Sequence, residues 1–108
     1  MYTFPLETDE LIKKKCLASY ASNREVLSGA LYLTDQRLVF VGYALNITNK
    51  YMDEVPLAYI KEILPEKTFF VIPNVLKVVT IKDKVLKFVV EGRNEWLKAI
   101  QRQIDIGN

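Results

Sequence analysis

Few side chains in this 108-residue sequence bring the chemistry that enzymes and metal centres require. It contains no histidine and one cysteine, Cys16. Without an imidazole, the Ser-His-Asp and Cys-His routes to nucleophilic catalysis are closed, and a lone thiolate cannot complete a four-ligand zinc cage. Asp53 and Glu54 are adjacent, so in a strand they point to opposite faces and make a poor acid–base pair. Cys16 lies in Lys15-Cys16-Leu17-Ala18, a strand-like setting in which a free thiol reads as a small buried hydrophobe. Exposure beside Lys13, Lys14 and Lys15 would instead lower its pKa. Those lysines form the only charge run and read as a solvated strand entrance. Phe69, Phe70, Val71 and Ile72, before Pro73, have the chemistry of a contact: on an exposed sheet edge, Phe69, Phe70 and Ile72 would favour self-association or a protein partner. These residue types predict a binding protein with no catalytic group, no cofactor and no metal.

Composition agrees. Half the residues are apolar, 26% are charged and the net charge is +2, the balance of one globular domain over residues 1–108, with its core at about 6–104. A single cysteine excludes an internal disulfide. No uncharged stretch is long enough to span a bilayer, and Met1–Pro5 lacks the features of a signal peptide. The expected compartment is a cytoplasm, with a reduced thiol. Residues 55–108 carry nine basic and six acidic side chains. That excess is too mild for duplex DNA binding but suits a modest anion-attracting surface. Tyr20, Tyr51 and Tyr59 could stack on bases, yet no basic–aromatic cluster recurs, and no nucleic-acid partner is expected.

The elements that would position these groups are mostly strands. Apolar and β-prone runs between turn residues predict strands at Lys14–Ser22, Val26–Leu33, Arg37–Gly42, Tyr51–Leu57, Tyr59–Leu64, Val75–Ile81 and Val85–Val90. Leu31 and Leu33 share one face of the second strand, Ala30 and Tyr32 the other. Gly29 implies a bulge or a close approach, and Pro56 marks a strand terminus or an edge. The fifth strand can run on to Phe70 past an interruption at Pro65, and Asp83-Lys84 makes a tight hairpin. Beyond Gly92 the period changes: Trp96, Leu97, Ile100 and Ile104 fall on one helical stripe, Asn94 is the expected N-cap and Gly107 the stop. Leu6, Leu11 and Ile12 are expected to pack as a turn or short helix. The pattern is α+β, a strongly curved seven-stranded antiparallel sheet, a partly open barrel, corked by one C-terminal α-helix.

That order resembles the pleckstrin-homology superfold. Residues 29–40 (GALYLTDQRLVF) are similar to the signature of the GRAM domain family, and Val55-Pro56-Leu57-Ala58-Tyr59-Ile60 is similar to that family's second step. Leu6 followed by Asp9-Glu10-Leu11-Ile12 resembles the opening of bacterial single-domain members. Most of the signature has a structural reading: Thr34 and Asp35 bond backbone groups in the turn, and Tyr32 and Phe40, on paired strands, stabilise the curvature as an aromatic pair. The resemblance implies a scaffold and no chemistry.

It also implies that the loops after strands one, three and six share an open rim. Here these loops are Ser22–Glu25, Tyr43–Lys50 and Lys82–Lys84. They carry Arg24, Lys50, Lys82 and Lys84 as candidate anion- or lipid-binding cations, with Tyr43, Leu45 and Ile47 as apolar loop contacts, a mixture suited to an anionic membrane surface. The phosphoinositide pattern of pleckstrin domains is not met, because Lys15 is followed by Arg24 alone and the position two beyond is Val26. The leading expectation is a noncatalytic adaptor acting through protein–protein interaction or self-association. The alternative is peripheral membrane binding through the basic rim, at the inner membrane face.

Overall fold

The computed structural model describes residues 3–21, 26–43, 50–67 and 74–107, and for Tyr43 and Lys50 the backbone only. Its strands are β1 (Ile12–Ala21), β2 (Val26–Thr34), β3 (Arg37–Tyr43), β4 (Lys50–Pro56), β5 (Ile60–Glu66), β6 (Val75–Thr80) and β7 (Val85–Val90). A 3-10 turn, Leu57–Tyr59, separates β4 from β5, and helix α1 spans Arg93–Gly107. All neighbouring strands are antiparallel, in the order β4-β3-β2-β1-β7-β6-β5, so β4 and β5 are the ends of an unclosed sheet.

Two glycines face one another in the β2–β3 ladder, Gly29 of β2 opposite Gly42 of β3. A Cβ on Gly29 would stand 2.0 Å from the carbonyl oxygen of Val41, so no larger residue fits without moving β3. The concave face collects Leu31, Leu33, Leu38, Phe40, Leu76, Val78, Leu86 and Phe88, and α1 closes over it with Trp96 and Ile100. Trp96 is 1% exposed and Ile100 fully buried, as the helical stripe predicts. The helix lies against β5, the 3-10 turn and β6. It starts at Arg93, and the Trp96 amide donates to the Gly92 carbonyl at 3.0 Å. Asn94 is therefore inside the first turn and not the cap, because Gly92, at φ 68°, has already turned the chain.

Register overturns two further expectations. Leu31 pairs with Phe40, and Tyr32 with Val39, so Tyr32 and Phe40 occupy opposite faces and form no pair. Phe40 packs inside, its ring 5.4 Å from that of Tyr20 and 5.9 Å from that of Phe88. Tyr32 meets the ring of Phe4 outside, at 4.9 Å. Pro65 lies within β5 and does not interrupt it, since an end strand has an edge on which the missing donor is tolerated. The expectation that Pro56 closes a strand at an edge holds, as does the β6–β7 hairpin, where Asp83 takes φ 63° and its amide donates to the Thr80 carbonyl.

The N-terminal arm is held differently from the apolar packing expected of it. Leu6, Leu11 and Ile12 are 48, 59 and 42% exposed. The anchor is Glu10, whose carboxylate is fully buried. It accepts from Arg37 Nε at 2.8 Å and Nη2 at 3.0 Å, from the Thr34 hydroxyl at 2.6 Å and from the Glu7 amide at 2.8 Å. Arg37 also reaches Glu54 at 2.5 Å and the Pro5 carbonyl at 2.9 Å, and stacks its guanidinium 5.1 Å from the Phe4 ring centroid. A buried charge is tolerated only when paired and fully hydrogen-bonded, and here a planar guanidinium meets a carboxylate through two N–H groups. The Arg37 hydrogen bonds hold the Glu10 carboxyl well below its usual value, at about 2, against the opposing effect of burial.

Candidate functional site

The ends of β1 and β4 and the β6–β7 turn converge at one mouth of the sheet. Tyr20 reaches it from β1, Tyr51 and Asp53 from alternate positions of β4, and Lys84 from the turn. Their polar atoms meet at one oxygen: Asp53 Oδ2 lies 3.3 Å from the Tyr20 hydroxyl, 3.4 Å from the Tyr51 hydroxyl and 3.3 Å from Lys84 Nζ. Burial first, then the neighbouring Tyr51 and Asp53, pushes the Tyr20 phenol up. Burial and Asp53 push Tyr51 up as well. Both therefore stay protonated donors to the carboxylate across the neutral range. Asp53 and Glu54 do diverge: one faces this mouth, the other meets Arg37 on the outer face.

This geometry changes the reading of the rim cations. Lys84 is engaged by Asp53 and spans the gap between β4 and the β6–β7 turn. Lys82 is exposed and borders a groove of about 160 Å³ with Glu54, Tyr59 and Lys84. Next to it, Asp83 pairs with Lys61 at 3.4 Å. Arg24, Leu45, Ile47, Phe69, Phe70 and Ile72 lie outside the described residues, as do the side chains of Tyr43 and Lys50, whose backbones belong to β3 and β4. Among the described residues no group of three or more acids, cysteines or histidines is placed to hold a metal ion, and no helix is long and apolar enough to cross a membrane.

Two features escaped the reading of the sequence. One is the Tyr20–Asp53–Tyr51 cluster, in which Tyr20 meets residues more than thirty positions away. The other is the Glu10–Arg37 clamp; both partners stand inside the family-like segments, but local spacing cannot pair them. Cys16 is half-buried rather than sealed in the core. Burial raises its thiol pKa, opposed by a hydrogen bond with Trp96 and by Lys14, whose Nζ lies 5.5 Å from the Trp96 ring.

A further exposed surface lies on β1. Lys13, Lys15 and Leu17 point outward and are exposed, Leu17 by 75%. β1 pairs with β2 from Ile12 to Ala21, with a shift of register between Ile12 and Lys14, but with β7 only over Ala18–Ala21. A groove of about 350 Å³ opens where β7 ends, lined in part by Leu17, Ala18, Val90 and Glu91.

No protein-family model matches the sequence, and no curated protein matches it. Solved structures do match its fold. The C-terminal domain of an unknown protein from Leishmania infantum superimposes with a TM-score of 0.73 at 16% identity, covering 90% of this chain and 86% of that one. The Vps36 N-terminal PH domain gives 0.70 at 12% identity, over 94% and 83%. The N-terminal PH domain of human ARAP2 gives 0.64 at 16% identity, over 88% and 81%. At such identities the likeness is one of fold, and it does not extend to the GRAM family or to a bacterial membership. The unclosed seven-stranded sheet with its single C-terminal helix is a pleckstrin-homology-like fold.

Proposed function

We propose that this chain is a noncatalytic protein-recognition module, an adaptor that works in a cytoplasm where Cys16 remains a thiol. The observation that supports protein over membrane is electrostatic. Lys84 is already paired with Asp53 at 3.3 Å, and Asp83 places a negative charge between Lys82 and Lys84. Attraction to an anionic leaflet scales with unpaired cations near the surface, at about 1 kcal/mol each, and the pairing with Asp53 reduces what Lys84 supplies. Backbone edges of an unclosed sheet, by contrast, are ready-made templates for another chain. PH-like folds in general serve as protein- or lipid-binding modules, and the two classes separate in one assay. Co-sedimentation with neutral and anionic vesicles should leave the protein in solution at physiological salt. Salt-sensitive binding to anionic vesicles, abolished by Arg24→Glu with Lys84→Glu, would replace this reading with a peripheral membrane one. Light scattering over a concentration series separates a partner in trans from self-association.

A further inference from the structure

The first half of β1 is a strand edge left without a ladder. β7 ends at Val90, opposite Ala18, and the chain leaves through Glu91 and Gly92, at φ 68°, into α1. Beyond that point, among the described residues, Ile12 and Lys14–Leu17 pair only with β2, and the register shifts at Lys13 between them. At roughly 3.3 Å per residue that edge is about 20 Å long. The other two edges are less free. Beside β4 the Lys84 side chain, paired with Asp53 at 3.3 Å, lies across the gap to the β6–β7 turn. β5 contains Pro65, which lacks an amide donor.

Charge selects the occupant. Lys13, Lys14 and Lys15 occupy successive positions of this edge. Lys13 and Lys15 project from the outer face, while Lys14 turns toward Trp96. A second copy added antiparallel would set lysines against lysines, and like charges directly opposite are destabilising. An acidic segment with carboxylates at alternate positions would face Lys13 and Lys15 instead. At the far end Leu17, 75% exposed, offers an apolar contact, and Glu91 repels a carboxylate there. We propose that Ile12–Leu17 accepts an extended acidic peptide segment of a partner protein as an added strand, lying in the line that β7 vacates, with its acids toward Lys13 and Lys15 and an apolar residue over Leu17. This rests on the protein-recognition reading and assigns it a surface and a partner chemistry.

The test uses the full chain, isotopically labelled, titrated with a short end-blocked peptide that begins with Val and continues with alternating Thr and Glu. A strand antiparallel to β1, as β7 is, then sets Val over Leu17 and the acids over Lys15 and Lys13. Saturable shifts are expected at Ile12–Leu17 and Glu91. The Lys-for-Glu peptide should not bind, and methylation of alternate peptide backbone nitrogens should abolish binding by removing ladder donors. Lys13→Glu with Lys15→Glu, both exposed and so compatible with the fold, should weaken binding at least about tenfold, with Lys13→Gln and Lys15→Gln intermediate. The proposal is overturned if the acidic peptide does not saturate, if its shifts fall at Lys82 and Lys84, if backbone methylation leaves affinity unchanged, or if charge reversal does. Peptide failure with no vesicle binding overturns this edge alone, leaving protein recognition through another surface; peptide failure with binding to anionic vesicles overturns both.

Discussion

Replacing Glu10 by Gln should unlock the N-terminal arm, and the size of the effect follows from its surroundings. The carboxyl titrates at about 2 instead of 4.5. One unit of pKa shift corresponds to about 1.4 kcal/mol, so ionisation of Glu10 favours the folded state by about 3 kcal/mol at neutral pH. Because the folded pKa is depressed, this contribution is complete above pH 4.5 and is lost as the pH falls toward 2. Gln keeps the shape and can still accept from Thr34 or Arg37, but it leaves the guanidinium without its buried counter-charge. The expected loss at pH 7 is about 2–4 kcal/mol, in the range for breaking one side of a buried pair. Urea denaturation followed by Trp96 fluorescence measures it. At pH 2.5 the wild type should have lost most of its advantage over the variant. A loss below about 0.5 kcal/mol at neutral pH, or a gap between the two proteins that does not narrow in acid, would refute the claim that this ion pair holds the arm.

Trp96→Ala should destabilise by about 3–5 kcal/mol in the same assay, read by circular dichroism, because a fully enclosed indole leaves a cavity that the sheet cannot fill. Gly29→Ala should be at least as damaging despite adding one methyl group: its Cβ would lie 2.0 Å from a backbone carbonyl, and backbone cannot swing aside as a side chain can. Lys84→Met should cost less than about 1 kcal/mol of stability, since the lysine side chain is 58% exposed and surface pairs contribute little; a larger loss by thermal melting would show that the Asp53 contact holds the mouth together.

Periodicity carried most of the fold. Apolar, β-prone runs between turn residues located every strand to within about two residues, and alternation gave the faces of the second, third and seventh, because burying one face of a sheet forces apolar residues onto alternate positions. The change to a 3.6 period after Gly92 located the helix and its buried stripe for the same reason. What alternation does not contain is which residue stands opposite which. Tyr32 and Phe40 looked like an aromatic pair because they lie on neighbouring strands, and a register set by the β2–β3 turn put them on opposite faces. Register is a property of the paired strands, and one step changes the face of every side chain.

The binding surface was less legible than the fold. Lys84 has the composition of a rim cation, and its availability was decided by Asp53, which reaches it from 31 positions earlier in the chain. Lys13, Lys14 and Lys15 were visible as a charge run, but the open edge beneath them exists because β7 stops opposite Ala18. The amino-acid sequence alone determined the chemical repertoire, no imidazole, one thiol and a mild excess of cations, together with the strand and helix pattern, because composition and periodicity are local properties of a chain. Only the tertiary structure decided which charges are spent on one another and which backbone edges stay open, because an ion pair or a ladder depends on distances between residues that chain order does not fix.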